Sequence, residues 1–361
     1  MNVKQLTVRN FRNAEENIIT FDPGVNIICG ENAAGKTNLL EAVFYFAAGK
    51  SFRNCKDREL IRFGCESANI EIVFSDENGA EKKMSAAIGK NFRRVIKIGE
   101  YRITKLSEYL GLFRAVIFTP DHLNLVKGAP ENRRRFLDMA ICQSFPKYAQ
   151  SLSEYNKCVA QKNALLKRGA ADDLLLEVYN ERIASLSGSI TVNRKKYTLR
   201  LEEEAAKFLD DMSGGREKLR CEYRAQCGEA DTAEEIREKY RVILKDRLAA
   251  EKERAQALYG AHKDDFNVTL NRRSAKIYGS QGQQRSAVLA LKLAEGELSA
   301  RLTGEYPVFL LDDILSELDA GRKEYILSRL DGRQVIITGC ESEIFGLEGK
   351  NRVFVKDGKT E

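Results

Sequence analysis

The sequence predicts an α/β protein in which a mixed sheet and a P-loop core are interrupted by an inserted, mainly α-helical arm domain. Three observations carry that prediction. The segment Gly30–Thr37 reads GENAAGKT and matches the pattern GxxxxGKS/T, and the apolar run Val308–Leu311 ends in Asp312-Asp313. A second glycine motif, GSQGQQR at Gly279–Arg285, lies about 240 residues beyond the first, so a large insertion must leave and re-enter one sheet.

Taken in order, Met1–Arg12 alternates polar and apolar residues like a strand, and Val25–Ile28 reads as a buried one. The glycine loop follows, and Asn38–Val43 reads as helix. Strand, loop and helix are the context that gives the motif its meaning. Gly30 and Gly35 let the backbone N–H groups of Glu31, Asn32, Ala33 and Ala34 turn inward at a helix N-terminus, where the dipole also favours anions. Lys36 is then expected on the β- and γ-phosphates of ATP, Thr37 on a magnesium ion, and Asn38 beside them. A glycine-rich turn that serves only packing is the bland alternative.

Ala68–Phe74, followed by the turn Asp76–Gly79, predicts a hairpin that strands from Val95 to Ile103 continue. Gly128-Ala129-Pro130 marks a break and Glu131–Arg135 opens a helix. From there to Tyr259 the chain reads as a helical arm. Tyr197, Leu201, Ala205 and Phe208 share one face, as do Ile236, Tyr240, Leu244, Leu248 and Ala255. Ser213-Gly214-Gly215 and Cys227-Gly228-Glu229 suggest turns near its tip. The expected domains are 1–128, 129–259 and 260–361.

After Tyr259 the chain is expected to rejoin the nucleotide sheet through the strand-like Phe266–Leu270. Ser280, Gly282 and Gln283 open a helix running to about Leu302 and predict a second anion site. Val308–Leu311 suits a buried parallel strand, which places Asp312 and Asp313 at its carboxyl end, where open α/β sheets bind ligands. Asp312 is expected to hold magnesium through water, and Asp313 to orient or deprotonate the attacking water. A pair of helix-capping aspartates is the alternative reading.

At this point the sequence resembles a known family. The serine-glycine-glutamine segment is similar to the signature motif of ABC-type ATPases, and Ser316–Asp319 to their D-loop. Leu6–Asn13, Phe118–Asp121, Arg133–Asp138 and Gly282–Arg285 together resemble the RecF family of bacterial DNA replication and repair proteins, over essentially the whole chain. The resemblance implies an ABC/SMC-type ATPase head, with Asp319 and Thr338 near the nucleotide. It also implies a homodimer that closes on ATP with each signature motif over the partner's γ-phosphate, and a DNA clamp at single-stranded gaps and junctions. RecR, RecO and RecA would be the pathway partners, in cytoplasmic DNA repair and the SOS response. Three features depart from the wider superfamily. Asp313 stands where many members carry glutamate, Thr338 follows the last core strand where a histidine is common, and Phe118–Asp121 occupies the place of the Q-loop. The short carboxylate implies slow hydrolysis, and Thr338 is then the expected γ-phosphate sensor.

Lys and Arg exceed Asp and Glu by only 6 in 361 residues, so any DNA surface must be a local stripe. Candidates are Arg93 and Arg94 with Lys97, Arg133-Arg134-Arg135, Arg194-Lys195-Lys196, and Arg272-Arg273; each also fits a solvated face. The eight cysteines include no CxxC pair, which argues against zinc or redox chemistry. No secretory leader is visible and no apolar run approaches the roughly 20 residues of a membrane span. A transporter ATPase subunit would share the ATP motifs, but its signature normally reads LSGGQ. A full SMC protein would need far longer arms, and a nucleotide-binding scaffold without turnover is the remaining rival.

Overall fold

A computed structural model describes residues 1–168, 173–340 and 351–360. The chain divides into two compact units, Met1–His122 with Glu295–Glu361, and Leu123–Ala294. The first unit opens on β1 (Asn2–Phe11) and β2 (Ala14–Thr20), where Leu6, Val8 and Phe11 enter the core while Arg9 faces solvent. The apolar β3 (Val25–Cys29) leads into α1 (Lys36–Ala48), in which every residue from Leu39 to Ala48 is buried. A helix apolar on nearly every side belongs inside, and α1 packs against strands of both sheets of this unit. The expected hairpin is present as β4 (Ser67–Ser75) and β5 (Glu81–Gly89), extended by β6 (Val95–Ile98) and β7 (Tyr101–Ile103), before β8 (Ala115–Phe118).

The second unit begins with α2 (Asn124–Lys127), α3 (Pro130–Ser144), α4 (Pro146–Lys167) and the 41-residue α5 (Asp173–Ser213). Proline starts both α3 and α4, a position where its missing N–H is no loss. Next come β9 (Leu219–Arg224), α6 (Ala233–Asp246), α7 (Leu248–Glu253), β10 (Asp265–Leu270), β11 (Arg273–Ser274) and α8 (Ala275–Tyr278). A reciprocal cap between Thr232 and Glu235 starts α6.

Three expectations change here. Phe266–Leu270 is a strand, but it pairs with β9 and β11 in a separate three-stranded sheet and does not rejoin the nucleotide sheet. The unit therefore runs wider than 129–259 at both ends. The stripe from Ile236 to Ala255 is not one helix: the chain leaves helical geometry at Arg247, and Ala255 has a φ of 49°.

Helix α9 (Gln281–Thr303) carries the chain back to the first unit, followed by β12 (Val308–Asp312), α10 (Ala320–Arg329), β13 (Val335–Gly339), β14 (Asn351–Lys356) and β15 (Lys359–Thr360). Among the described residues these strands build two six-stranded sheets. One is antiparallel in the order β2-β1-β4-β5-β6-β7; the other runs β15-β14-β3-β13-β12-β8 and is parallel except for β15. Buried Gln334 bonds across them, accepting from Val3 N at 2.6 Å and donating to Val3 O at 2.7 Å and Asp22 O at 2.8 Å. Among the described residues, no helix is long and apolar enough to cross a membrane.

Candidate active site

The parallel sheet places β3, β13 and β12 side by side, so the loop after β3 and the carboxylates ending β12 meet at its carboxyl end. The glycine loop is held by close backbone approach. A Cβ on Gly30 would lie 2.3 Å from the Val355 carbonyl oxygen. Gly35, at φ 113°, would bring a Cβ to 2.7 Å from Asn13 Oδ1, so both conformation and space exclude a side chain there. Asn13 in turn donates to the Ala34 carbonyl at 3.1 Å and accepts from Asn38 Nδ2 at 2.8 Å. The Gly358 N–H, in the β14–β15 turn, donates to the same Ala34 carbonyl at 2.9 Å.

Lys36 is buried, and its ammonium donates to the carbonyls of Gly30 at 2.7 Å and Glu31 at 3.2 Å. Glu31 through Asn38, with Arg53 and Asp313, line a cavity of about 210 Å³.

Asp312, also buried, stands directly across from Thr338 in the sheet register. The Thr338 hydroxyl donates to Asp312 Oδ1 at 3.0 Å and accepts from the Asp313 N–H at 3.0 Å. Burial pushes the Asp312 carboxyl above its ordinary range, opposed by hydrogen bonds from Thr37 and Thr338. Asp312 thus sits beside the Thr37 hydroxyl. Neither aspartate is a helix cap. Asp313 has a φ of 48°, a left-handed conformation rare for a non-glycine residue and concentrated at functional sites.

Thr338, expected beside the nucleotide, therefore stands at the carboxylate end of β12 with its hydroxyl bonded to both aspartates. Asp319 caps α10, accepting from Arg322 N at 3.0 Å. Ser280 and Gln283 form a reciprocal cap at the start of α9: Ser280 Oγ accepts from Gln283 N at 3.2 Å and Gln283 Oε1 from Ser280 N at 2.9 Å. That leaves Ser280, an exposed residue, beside Gly282 on the helix N-terminus.

Sequence reasoning missed Arg53, which lines the cavity but belongs to none of the motifs. It also missed Glu41, wholly buried on α1 and held by Arg12 through bonds of 2.8 and 2.7 Å. Its one signal was a carboxylate on an otherwise apolar helix.

Among the basic clusters, two residues are corrected. Arg133 is buried and pairs with Asp265 at 2.7 Å; Arg194 is 3% exposed and pairs with Asp138 at 2.8 Å while donating to the Ala261 carbonyl. Neither guanidinium is accessible to a DNA phosphate. Arg134 donates to the Asp264 carbonyl, Lys195 pairs with Asp231, and Arg94 bonds the Gly49 carbonyl. Arg135 is half-buried, while Lys196, Arg93, Arg272 and Arg273 are exposed.

Comparison with known proteins agrees with this geometry. The family model described as the RecF/RecN/SMC N terminal domain matches residues 2–359. A DNA replication and repair protein RecF from Desulfitobacterium hafniense is 40% identical over 348 residues, covering 95% of this chain and 94% of the relative. The RecF of Ruminiclostridium cellulolyticum is 37% identical over 351 residues, covering 96% and 94%. A solved structure of the recombination mediator protein RecF with ATP, in the RecFOR pathway, superposes with a TM-score of 0.93 at 36% identity, covering 100% of this chain and 97% of that one. An Smc head domain from Pyrococcus furiosus shares the fold alone, at TM-score 0.57 and 15% identity. With a phosphate loop, a carboxylate-ended strand and near full-length identity of this order all in agreement, the chain belongs to the RecF family of DNA replication and repair proteins, built on an SMC-type ATPase head.

Proposed function

We propose that this chain is an ATP-switched DNA clamp: it binds and slowly hydrolyses ATP, closes as a homodimer, and engages DNA at gaps and single-strand/double-strand junctions. The observation that carries the reading is the cluster in which Thr37, Asp312, Asp313 and Thr338 converge beside the P-loop cavity. Loop N–H groups and Lys36 bind the triphosphate. Thr37 and Asp312 offer hard oxygen ligands, which suit magnesium. That ion usually takes one or two carboxylates plus substrate phosphates, and no cluster of three His, Cys, Asp or Glu residues exists among the described residues. Magnesium, when bound, neutralises charge on the β- and γ-oxygens. Asp313 is the general base or orienting group for the attacking water, and its short side chain supports slow turnover. Ser280 and Gly282 are the residues offered to the γ-phosphate of a second copy. RecR, RecO and RecA are proposed as partners, and the cytoplasm as the compartment, from family membership.

The test is solution mass by sedimentation with magnesium-ATP, with ADP and without nucleotide, alongside phosphate release with and without gapped DNA. A dimer formed only with ATP, and slow release stimulated by DNA, are expected. Lys36→Met should weaken ATP binding by about 10- to 100-fold, the value of charge-assisted hydrogen bonds; undiminished affinity would refute the site. The strained, short Asp313 also favours a second reading, a nucleotide-switched scaffold, which absence of phosphate release even with DNA would establish.

A further inference from the structure

The antiparallel sheet of the first unit buries one face and leaves the other open. Its outer face, lined by Thr7, Asn69, Glu71, Ser85, Ala87 and Lys97 among others, encloses a concavity of about 420 Å³. Thr7, Ser85 and Ala87 are the small residues of that face, and Arg9, Ile18, Glu71 and Lys97 the larger ones around them. The charges around it are unevenly satisfied. Arg9 pairs with Glu16 at 2.7 Å and Lys83 with Glu71 at 2.9 Å.

Lys97 and Arg102 are different. They are directly opposite each other across β6 and β7, both exposed, and neither side chain makes a hydrogen bond or ion pair among the described residues. Like charges placed directly opposite on paired strands are destabilising. Glu100, in the intervening turn, acts on Lys83. β7 is the edge strand of the sheet. Arg93 and Lys105 flank the hairpin at its two chain ends, and their side chains likewise have no bonded partner among the described residues.

We propose that this concave sheet face and its Lys97–Arg102 rim are a docking surface for the sugar-phosphate backbone of DNA. The repulsion between the two cations is relieved when a polyanion lies across them. This rests on the DNA-clamp reading above and assigns it a surface. Phosphate binding of this kind is independent of base sequence and steeply salt-dependent, because neutralised phosphates release counterions.

The test compares the full chain with Lys97→Ala/Arg102→Ala and with Arg102→Glu, titrating a fluorescent duplex and a gapped duplex over a range of salt while recording thermal unfolding. The double variant should bind about tenfold more weakly at moderate salt, and the slope of log affinity against log salt should fall by about two, one for each phosphate no longer neutralised. Its melting temperature should hold or rise, since a repulsion is removed. Arg102→Glu places a carboxylate opposite Lys97, so it should be at least as stable as the parent while binding DNA more weakly. Wild-type chain that fails to bind DNA at any salt sinks the clamp reading itself. Wild-type binding with both variants unchanged in affinity and slope overturns the surface alone, and points to a protein partner on this face.

Discussion

Thr338 Oγ1 lies 3.0 Å from Asp312 Oδ1, one strand across the parallel sheet, and the same hydroxyl receives the N–H of Asp313. A single side chain on β13 therefore fixes both carboxylate residues at the end of β12. Asp312 is raised in pKa by burial in the fold, so the folded state holds its proton more tightly than the unfolded chain does. The stability linked to this group is present at low pH and lost as pH rises through the folded value. Asp312→Asn keeps an acceptor for Thr338 and removes the buried charge. It should raise resistance to urea at pH 7, with the gain shrinking toward pH 4, while ATP turnover disappears. Equal stability of the two proteins at pH 7 would contradict this.

Asp313→Asn should leave ATP affinity within about threefold, lower turnover by about 100-fold or more as expected for removal of a general base, and prolong the closed dimer. Single-turnover phosphate release and dimer lifetime after dilution are the measurements. Unchanged turnover would remove Asp313 from the chemistry.

Gly30→Ala puts a methyl group against the Val355 carbonyl, 2.3 Å from its oxygen. The strand β14 or the loop must shift, at a cost of about 1–3 kcal/mol typical of overpacking. Denaturant unfolding should report that loss, and ATP affinity should fall with it.

His262 accepts no charge easily. Burial moves its pKa down from 6.5 to about 4, beside Tyr155 at 2.7 Å. A depressed histidine favours folding above its unfolded pKa, and that stability is lost as pH falls from about 6.5 toward 4. His262→Gln should flatten the pH dependence of unfolding across that window, where each unit of separation is worth about 1.4 kcal/mol. An unaltered pH profile would show that another group titrates there.

Arg194→Ala leaves Asp138 with the Tyr148 hydroxyl but no cation, and breaking such a buried pair costs about 3–5 kcal/mol. The melting temperature should drop sharply. Under conditions where the variant stays folded, the salt slope of DNA binding should match the parent, because Arg194 is enclosed.

The phosphate loop, the β12 carboxylates and the β4–β5 hairpin were legible in the sequence because each rests on neighbours in the chain: glycine spacing, an apolar run, a turn flanked by alternation. What was not legible depends on distant partners. Leu219–Arg224 alternates as a strand does, yet its pairing partner begins about forty residues later, and without it the segment reads as arm tip. Arg133 and Arg194 look solvated in sequence because the carboxylates that pair with them, Asp265 and Asp138, lie 132 and 56 positions away. Domain limits shifted for the same reason, since β10 and β11 find their sheet in β9.

The pairing of β3 with β13 on one side and β14 on the other has a consequence for biosynthesis. Both neighbours of the strand that feeds the phosphate loop are translated about 300 residues after it, and the β14–β15 turn that bonds Ala34 comes later still. A chain still on the ribosome therefore holds an unpaired apolar strand for much of its synthesis, at rates of about 5–20 residues per second. The sheet around the phosphate loop is complete only once β13 and β14 have emerged, and long-range parallel pairing of this kind is slow and exposed to aggregation. Nascent chains should depend on a chaperone until then, and ATP should shield the finished protein far better than any truncated intermediate.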